Sequence, residues 1–161
     1  MKKLLVTMLT ILALFGCAQN LVTEEQPKPV EKPSEYSLGQ KVSFESGLTV
    51  TVVSTRSDMG GEYFKPDEGN EFLVIKVRLE NNTKETYNMS SFLSFELKSK
   101  EGVVMSRSFY PDMIGSLDSS ILSGDLLVGE IAFEVPLSIT EGLFLYFKVD
   151  LLSDPIKIKI K

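Results

Sequence analysis

Residues 69–83 read Gly-Asn-Glu-Phe-Leu-Val-Ile-Lys-Val-Arg-Leu-Glu-Asn-Asn-Thr. Leu73, Ile75, Val77 and Leu79 fall on alternate positions, and Lys76, Arg78 and Glu80 fill the places between them. A period of two sends successive side chains to opposite faces of an extended chain, so this is a strand with one buried face. Asn81-Asn82 ends it with turn chemistry. Phe72 and Val74 break the pattern, being apolar on the face that should meet water. Such a strand is either covered by a loop or presents an interaction patch, and loop cover is the favoured reading.

The same period runs outward in both directions. Leu48, Val50 and Val52 alternate with threonines. Leu93, Phe95 and Leu97 alternate with Ser94 and Glu96. Leu127, Ile131, Phe133 and Val135 share a face with Gly129 in register. Leu143, Leu145, Phe147 and Val149 share another, and Ile156, Ile158 and Ile160 alternate with Lys157, Lys159 and Lys161. Weaker strands fit residues 41–44 and 103–108. Gly60-Gly61, residues 100–102, 123–125 and 153–155 supply turns. Residues 112–122 are read as loop, since Gly115 weakens the four-residue spacing of Met113, Leu117 and Ile121. Seven to nine strands over 126 residues predict an all-β, antiparallel two-sheet sandwich, with a closed barrel as the alternative.

Composition narrows the chemistry. The 161 residues include one cysteine, no histidine and no tryptophan. One cysteine excludes an internal disulfide framework and multi-thiolate zinc sites. No histidine excludes imidazole bases and triads built on them. No cofactor is implied, and no enzymatic activity is expected.

The first 16 residues read as an export signal: Lys2 and Lys3, then an apolar run from Leu4 to Phe15. As a helix that run is about 18 Å long, too short for a bilayer core of about 30 Å. Leu14-Phe15-Gly16-Cys17 resembles the lipobox of bacterial lipoproteins, which implies a diacylglycerol thioether on Cys17 and cleavage before it. Loss of Lys2 and Lys3 leaves 15 basic against 22 acidic residues, a net −7. Residues 18–35 carry Pro27, Pro29, Pro33 and four glutamates with little to bury, and read as a disordered tether. Its reach is at most about 55 Å at ~3.1 Å per residue. The expected location is the extracytoplasmic face of the cell membrane, or an outer membrane if the cell has one.

Three motifs in order resemble a bacterial family of domains of unknown function: Tyr36 to Val52, the Gly69–Thr83 strand and turn, and Ser123-Gly124-Asp125 followed by Gly129 to Pro136. The resemblance spans about 36–160. It implies an immunoglobulin-like β-sandwich, related in fold to secreted immunoprotective antigens, with no catalytic residues to carry over. A telomere-repeat-binding label borne by some members does not transfer, because a net −7 chain lacks the basic footprint of nucleic-acid affinity; no nucleic-acid partner is expected.

Candidate sites follow. Phe72, Val74, Phe109, Tyr110, Phe144 and Tyr146 are the candidate interaction surface for an envelope protein partner. Asp58, Glu62, Asp67, Glu68 and Asn70 form an oxygen-rich loop that could hold calcium, although they fit no calcium-loop spacing and read as ordinary turn chemistry. Glu130 and Glu134 read as solvent-facing rather than as a hydrolase pair. Lys157, Lys159 and Lys161 read as edge-strand protection, or as a contact for an anionic lipid or polymer. The expectation is a lipoprotein displaying a non-catalytic binding or adaptor domain. The alternatives are a ligand or calcium carrier using the sandwich-end loops and, remotely, a carboxylate hydrolase.

Overall fold

The computed structural model describes residues 35–161. The signal, the lipobox cysteine and the tether lie outside the described residues, except for Glu35. Ten strands and one helical turn follow in order: β1 (Lys41–Ser43), β2 (Leu48–Asp58), β3 (Asn70–Asn81), β4 (Tyr87–Met89), α1 (Ser91–Ser94), β5 (Phe95–Ser99), β6 (Ser106–Ser108), β7 (Ser119–Ile121), β8 (Leu126–Pro136), β9 (Leu143–Phe147) and β10 (Ile156–Lys159).

A large sheet has the order β1-β2-β3-β8-β6, and a small sheet the order β10-β9-β5. All strand pairs are antiparallel. The alternation in β3 places Leu73, Ile75, Val77 and Leu79 inward, joined by Val50 and Val52 of β2 and Ile131, Phe133 and Val135 of β8. Phe95, Leu97, Leu143, Leu145, Phe147 and Ile158 of the small sheet meet them in one core. This is an immunoglobulin-like sandwich without a disulfide, held by apolar burial worth roughly 1.5–3 kcal/mol per large side chain. No helix of the described residues is long and apolar enough to cross a membrane.

Two chain segments change sheets and close the open sides. Tyr36 pairs in parallel with Ile158 on the small sheet, and the chain then reaches β1 on the large one. Residues 103–105 pair with β5, through Met105 N–H to Leu97 O (2.8 Å), before β6 joins β8. Arg107 of β6 spans that side. It donates to Ser91 O (2.7 Å), Ser91 Oγ (3.0 Å) and Phe95 O (3.1 Å), with its guanidinium over the Phe133 ring.

The strand count exceeds the expected seven to nine because β4 and β7 form a separate short ribbon. β7 lies inside the stretch read as loop. The ribbon exists because Met89 and Ile121 are buried under the core. Leu93 also departs from its expected place: it sits on α1 and is exposed, so β5 begins only at Phe95. Asn81 is fully buried and fixes the turn after β3. Its amide donates to Glu85 O and Ile121 O (2.8 Å each), and its oxygen accepts from Thr83 N–H (3.0 Å).

Candidate interaction surface

The outer face of the large sheet is covered, not open. Residues 109–117 run over it and wrap the edge of β8. Tyr110 and Met113 pack on Phe72, Val74 and Ala132, and Leu117 then turns into the main core. Phe72 and Val74, expected on an interaction surface, are therefore buried, as is Tyr110 at 4% exposure. The wrap needs glycine at its crossing point. A Cβ on Gly129 would lie 2.8 Å from the Ser116 carbonyl carbon.

Polar groups lock this cover. Glu130, expected to face solvent, is buried on β8. It accepts from Arg56 Nη1 through Oε1 (2.6 Å) and from Ile114 N–H through Oε2 (2.9 Å). Arg56 also donates to Asp112 O (3.2 Å). Burial pushes the Glu130 carboxyl up, but those two hydrogen bonds and the Arg56 charge outweigh it and hold the group below its ordinary value. The bond to Glu130 raises Arg56 in turn.

Asp58, the last residue of β2, joins two loops. Its Oδ2 accepts the Tyr110 hydroxyl and its Oδ1 accepts Gly60 N–H, both at 2.7 Å. The Tyr110 bond, then the Gly60 bond, hold the Asp58 carboxyl low. The same bond to Asp58, with burial, pushes the Tyr110 phenol up to about 12. Gly60 has φ +72°, and a Cβ there would lie 2.0 Å from Phe64 O, so no other residue fits the turn. Gly61 N–H donates to Phe64 O (2.9 Å). The outcome is an edge-to-face pair, Phe64 on Phe109, with centroids 5.8 Å apart at 61°. Phe109 is 68% exposed, and Tyr63 and Phe64 are exposed beside it.

Of the six expected surface residues, Phe109 alone is exposed. Phe144 and Tyr146 lie half-buried on the outer face of the small sheet. Lys157 Nζ stands 3.7 Å from the Phe144 centroid, and Lys98 Nζ 5.1 Å from that of Tyr146. Tyr63 and Phe64 were not singled out from sequence. Their signal was two adjacent aromatics one residue past the Gly60-Gly61 turn, outside any strand register.

The oxygen-rich loop does not converge. Asp58 is engaged as described, and Asp67 N–H and Asn70 Nδ2 donate to Glu134 Oε1 (2.7 and 2.9 Å). Among the described residues, no three of His, Cys, Asp or Glu are grouped to hold a metal ion. The lysine stripe is divided. Lys157 pairs with Glu35 (3.2 Å) and Lys161 with Glu71 (2.5 Å), while Lys159 is exposed on β10, an edge strand that Tyr36 covers at one bridge.

A two-sheet antiparallel sandwich with a loop-covered outer face and no thiol in its described residues defines the class. Residues 36–157 match the domain of unknown function DUF4352, and the chain belongs to that family. Solved structures share the fold at low identity. The yjhA protein of Bacillus subtilis superimposes with a TM-score of 0.65 at 18% identity, over 78% of this chain and 99% of that one. A candidate lipoprotein of the same species, ycdA, gives 0.58 at 18%, over 74% of this chain and 37% of its own. The secreted protein MPT63 of Mycobacterium tuberculosis gives 0.57 at 14%, over 80% and 98%. No curated protein matches the chain.

Proposed function

We propose that the chain is a lipoprotein, anchored through diacylglycerol on Cys17 at the extracytoplasmic face of the membrane, whose sandwich is a non-catalytic binding domain for an envelope protein. The observation that carries the binding role is the Phe64–Phe109 pair. It is exposed, yet fixed from both sides by Asp58 through Gly60 and Tyr110. Fixed exposed aromatics lose little side-chain entropy on binding and favour recognition. Asp58, Tyr110, Arg56 and Glu130 spend their hydrogen bonds holding this surface and its cover. That use favours a binding domain over a hydrolase.

Two experiments test the reading. Cys17→Ala is expected to move the protein from the detergent-rich to the aqueous phase on detergent phase partition; unchanged partition refutes the anchor. A photocrosslinker placed at position 109 in cells is expected to give a discrete protein adduct that one at position 137 does not. The absence of any adduct specific to position 109 refutes the binding surface.

A further inference from the structure

The loop between β2 and β3 sets its exposed rings among charges of one sign. Tyr63 is 86% exposed, and Phe64 and Phe109 stand in water beside it. Glu62 precedes Tyr63, Asp67 and Glu68 close the same loop, and Asp112 lies three residues after Phe109. All four carboxylates are exposed, and among the described residues none is ion-paired. Against them stands Lys65, the one cation of residues 57–69. Arg56, at the foot of the loop, spends its charge on Glu130 (2.6 Å) and takes the Asp112 carbonyl (3.2 Å), which brings Asp112 to this end. The negative charge surrounds the rings rather than gathering at a point, since no three carboxylates of the described residues group to hold an ion.

Rings elsewhere on the domain meet a cation of their own chain. Phe144 and Tyr146, half-buried on the small sheet, carry Lys157 at 3.7 Å and Lys98 at 5.1 Å. Among the described residues no cation stands over Tyr63, Phe64 or Phe109. The face of an aromatic ring is negative and attracts a cation within about 6 Å of its centroid. Carboxylates around the rings add to that potential and repel an anionic partner. Shape and charge therefore ask for the same thing, a partner with positive groups that are also broad enough to cover rings.

We propose that the partner of this surface is a basic protein segment, whose arginine or lysine side chains lie on the Tyr63, Phe64 and Phe109 rings and meet Glu62, Glu68 and Asp112 at their edge. The proposal rests on the reading of the Phe64–Phe109 pair as a binding surface and adds the chemistry of what it binds. Arginine fits best, because a planar guanidinium stacks on a ring and donates to a carboxylate at the same time. The rings are held ready by the Gly60 turn and the Tyr110–Asp58 bond, so little order is lost when they are covered. A chain of net −5 also draws a basic partner to it from a distance.

Glu62→Lys with Glu68→Lys reverses the charge at the rings. Asp125→Lys with Asp154→Lys makes the same change in net charge elsewhere. All four side chains are exposed and, among the described residues, form no ion pair, so both double variants should melt with the wild type. A photocrosslinker at position 63 in cells is expected to give an adduct that the Asp125, Asp154 pair keeps and the Glu62, Glu68 pair lowers about tenfold. Equal yield from all three chains overturns the basic partner and leaves the binding surface standing. No adduct at position 63 refutes the surface and this inference with it. The source of the cation is read by titrating the full chain in neutral detergent with acetyl-tetraarginine amide or with spermidine, following the ring resonances of Tyr63, Phe64 and Phe109. The peptide is expected to shift all three and to bind the Glu62→Lys, Glu68→Lys chain about tenfold more weakly. Absence of those shifts overturns the proposal. Spermidine that binds as tightly as the peptide assigns the surface to a free polyamine and also overturns it.

Discussion

Glu130 owes its charge to Arg56. Burial alone would favour its neutral form, and the guanidinium with the Ile114 amide reverses that. Arg56→Ala strands a buried carboxylate. Breaking a fully buried pair costs about 3–5 kcal/mol, and the 38% exposure of the Arg56 side chain lowers the expectation to about 2 kcal/mol. Thermal melting should register this as a fall of several degrees. The pH profile follows from the same contacts. Asp58 and Glu130 titrate lower in the fold than in the unfolded chain. Their contribution is full above their ordinary values near 4 and is lost as pH falls through the folded ones. Tyr110 works in the opposite sense. Its phenol is raised from 10.0 to about 12, so its contribution is full below pH 10 and is lost as pH rises toward 12. Tyr110→Phe should flatten the alkaline limb of the melting-temperature curve and remove the tyrosine that titrates near 12.

At the scale of elements, the wrap of residues 109–117 around β8 is the feature that decides which residues are available. It depends on close backbone approach at Gly129, where a methyl group meets only backbone atoms of Ser116 and Leu117 at 2.8–3.0 Å. Gly129→Ala should destabilise by about 1–3 kcal/mol, as overpacking does. It should also speed amide hydrogen exchange at Ile114 and Leu117. Gly61→Ala, with open space at its Cβ, should do neither. Alternation made the long strands legible, because inward positions of β3, β8 and β9 repeat every second residue. It could not reveal β4, β7 or α1. Each is four residues or fewer, and each is set by what it packs against rather than by its own pattern.

For the whole molecule, the two ends of the sandwich differ. One presents Tyr63 and Phe64 on one braced loop with Phe109 on another; the other carries Leu151 and Leu152 in the turn before β10. Phe64→Ser with Phe109→Ser should leave the melting temperature nearly unchanged, within about 0.5 kcal/mol, since both rings are exposed. The same pair should abolish the position-specific crosslink, read from position 63. A fall in stability without loss of the adduct would make the pair a structural contact.

By itself the sequence determined the all-β class, the inward faces of the long strands and the family resemblance. A period of two and its turn residues are local properties that the chain carries wherever it folds. Only the tertiary structure decided that Phe72, Val74 and Tyr110 are buried, that Glu130 is paired and that Phe64 stands beside Phe109. Each depends on a loop lying across a sheet, between residues such as Asp58 and Tyr110 or Arg56 and Glu130, which are 52 and 74 positions apart. Apolar residues on the second face of a strand read the same whether a loop covers them or a partner does. The covering loop, closing over Gly129, is what separated the two.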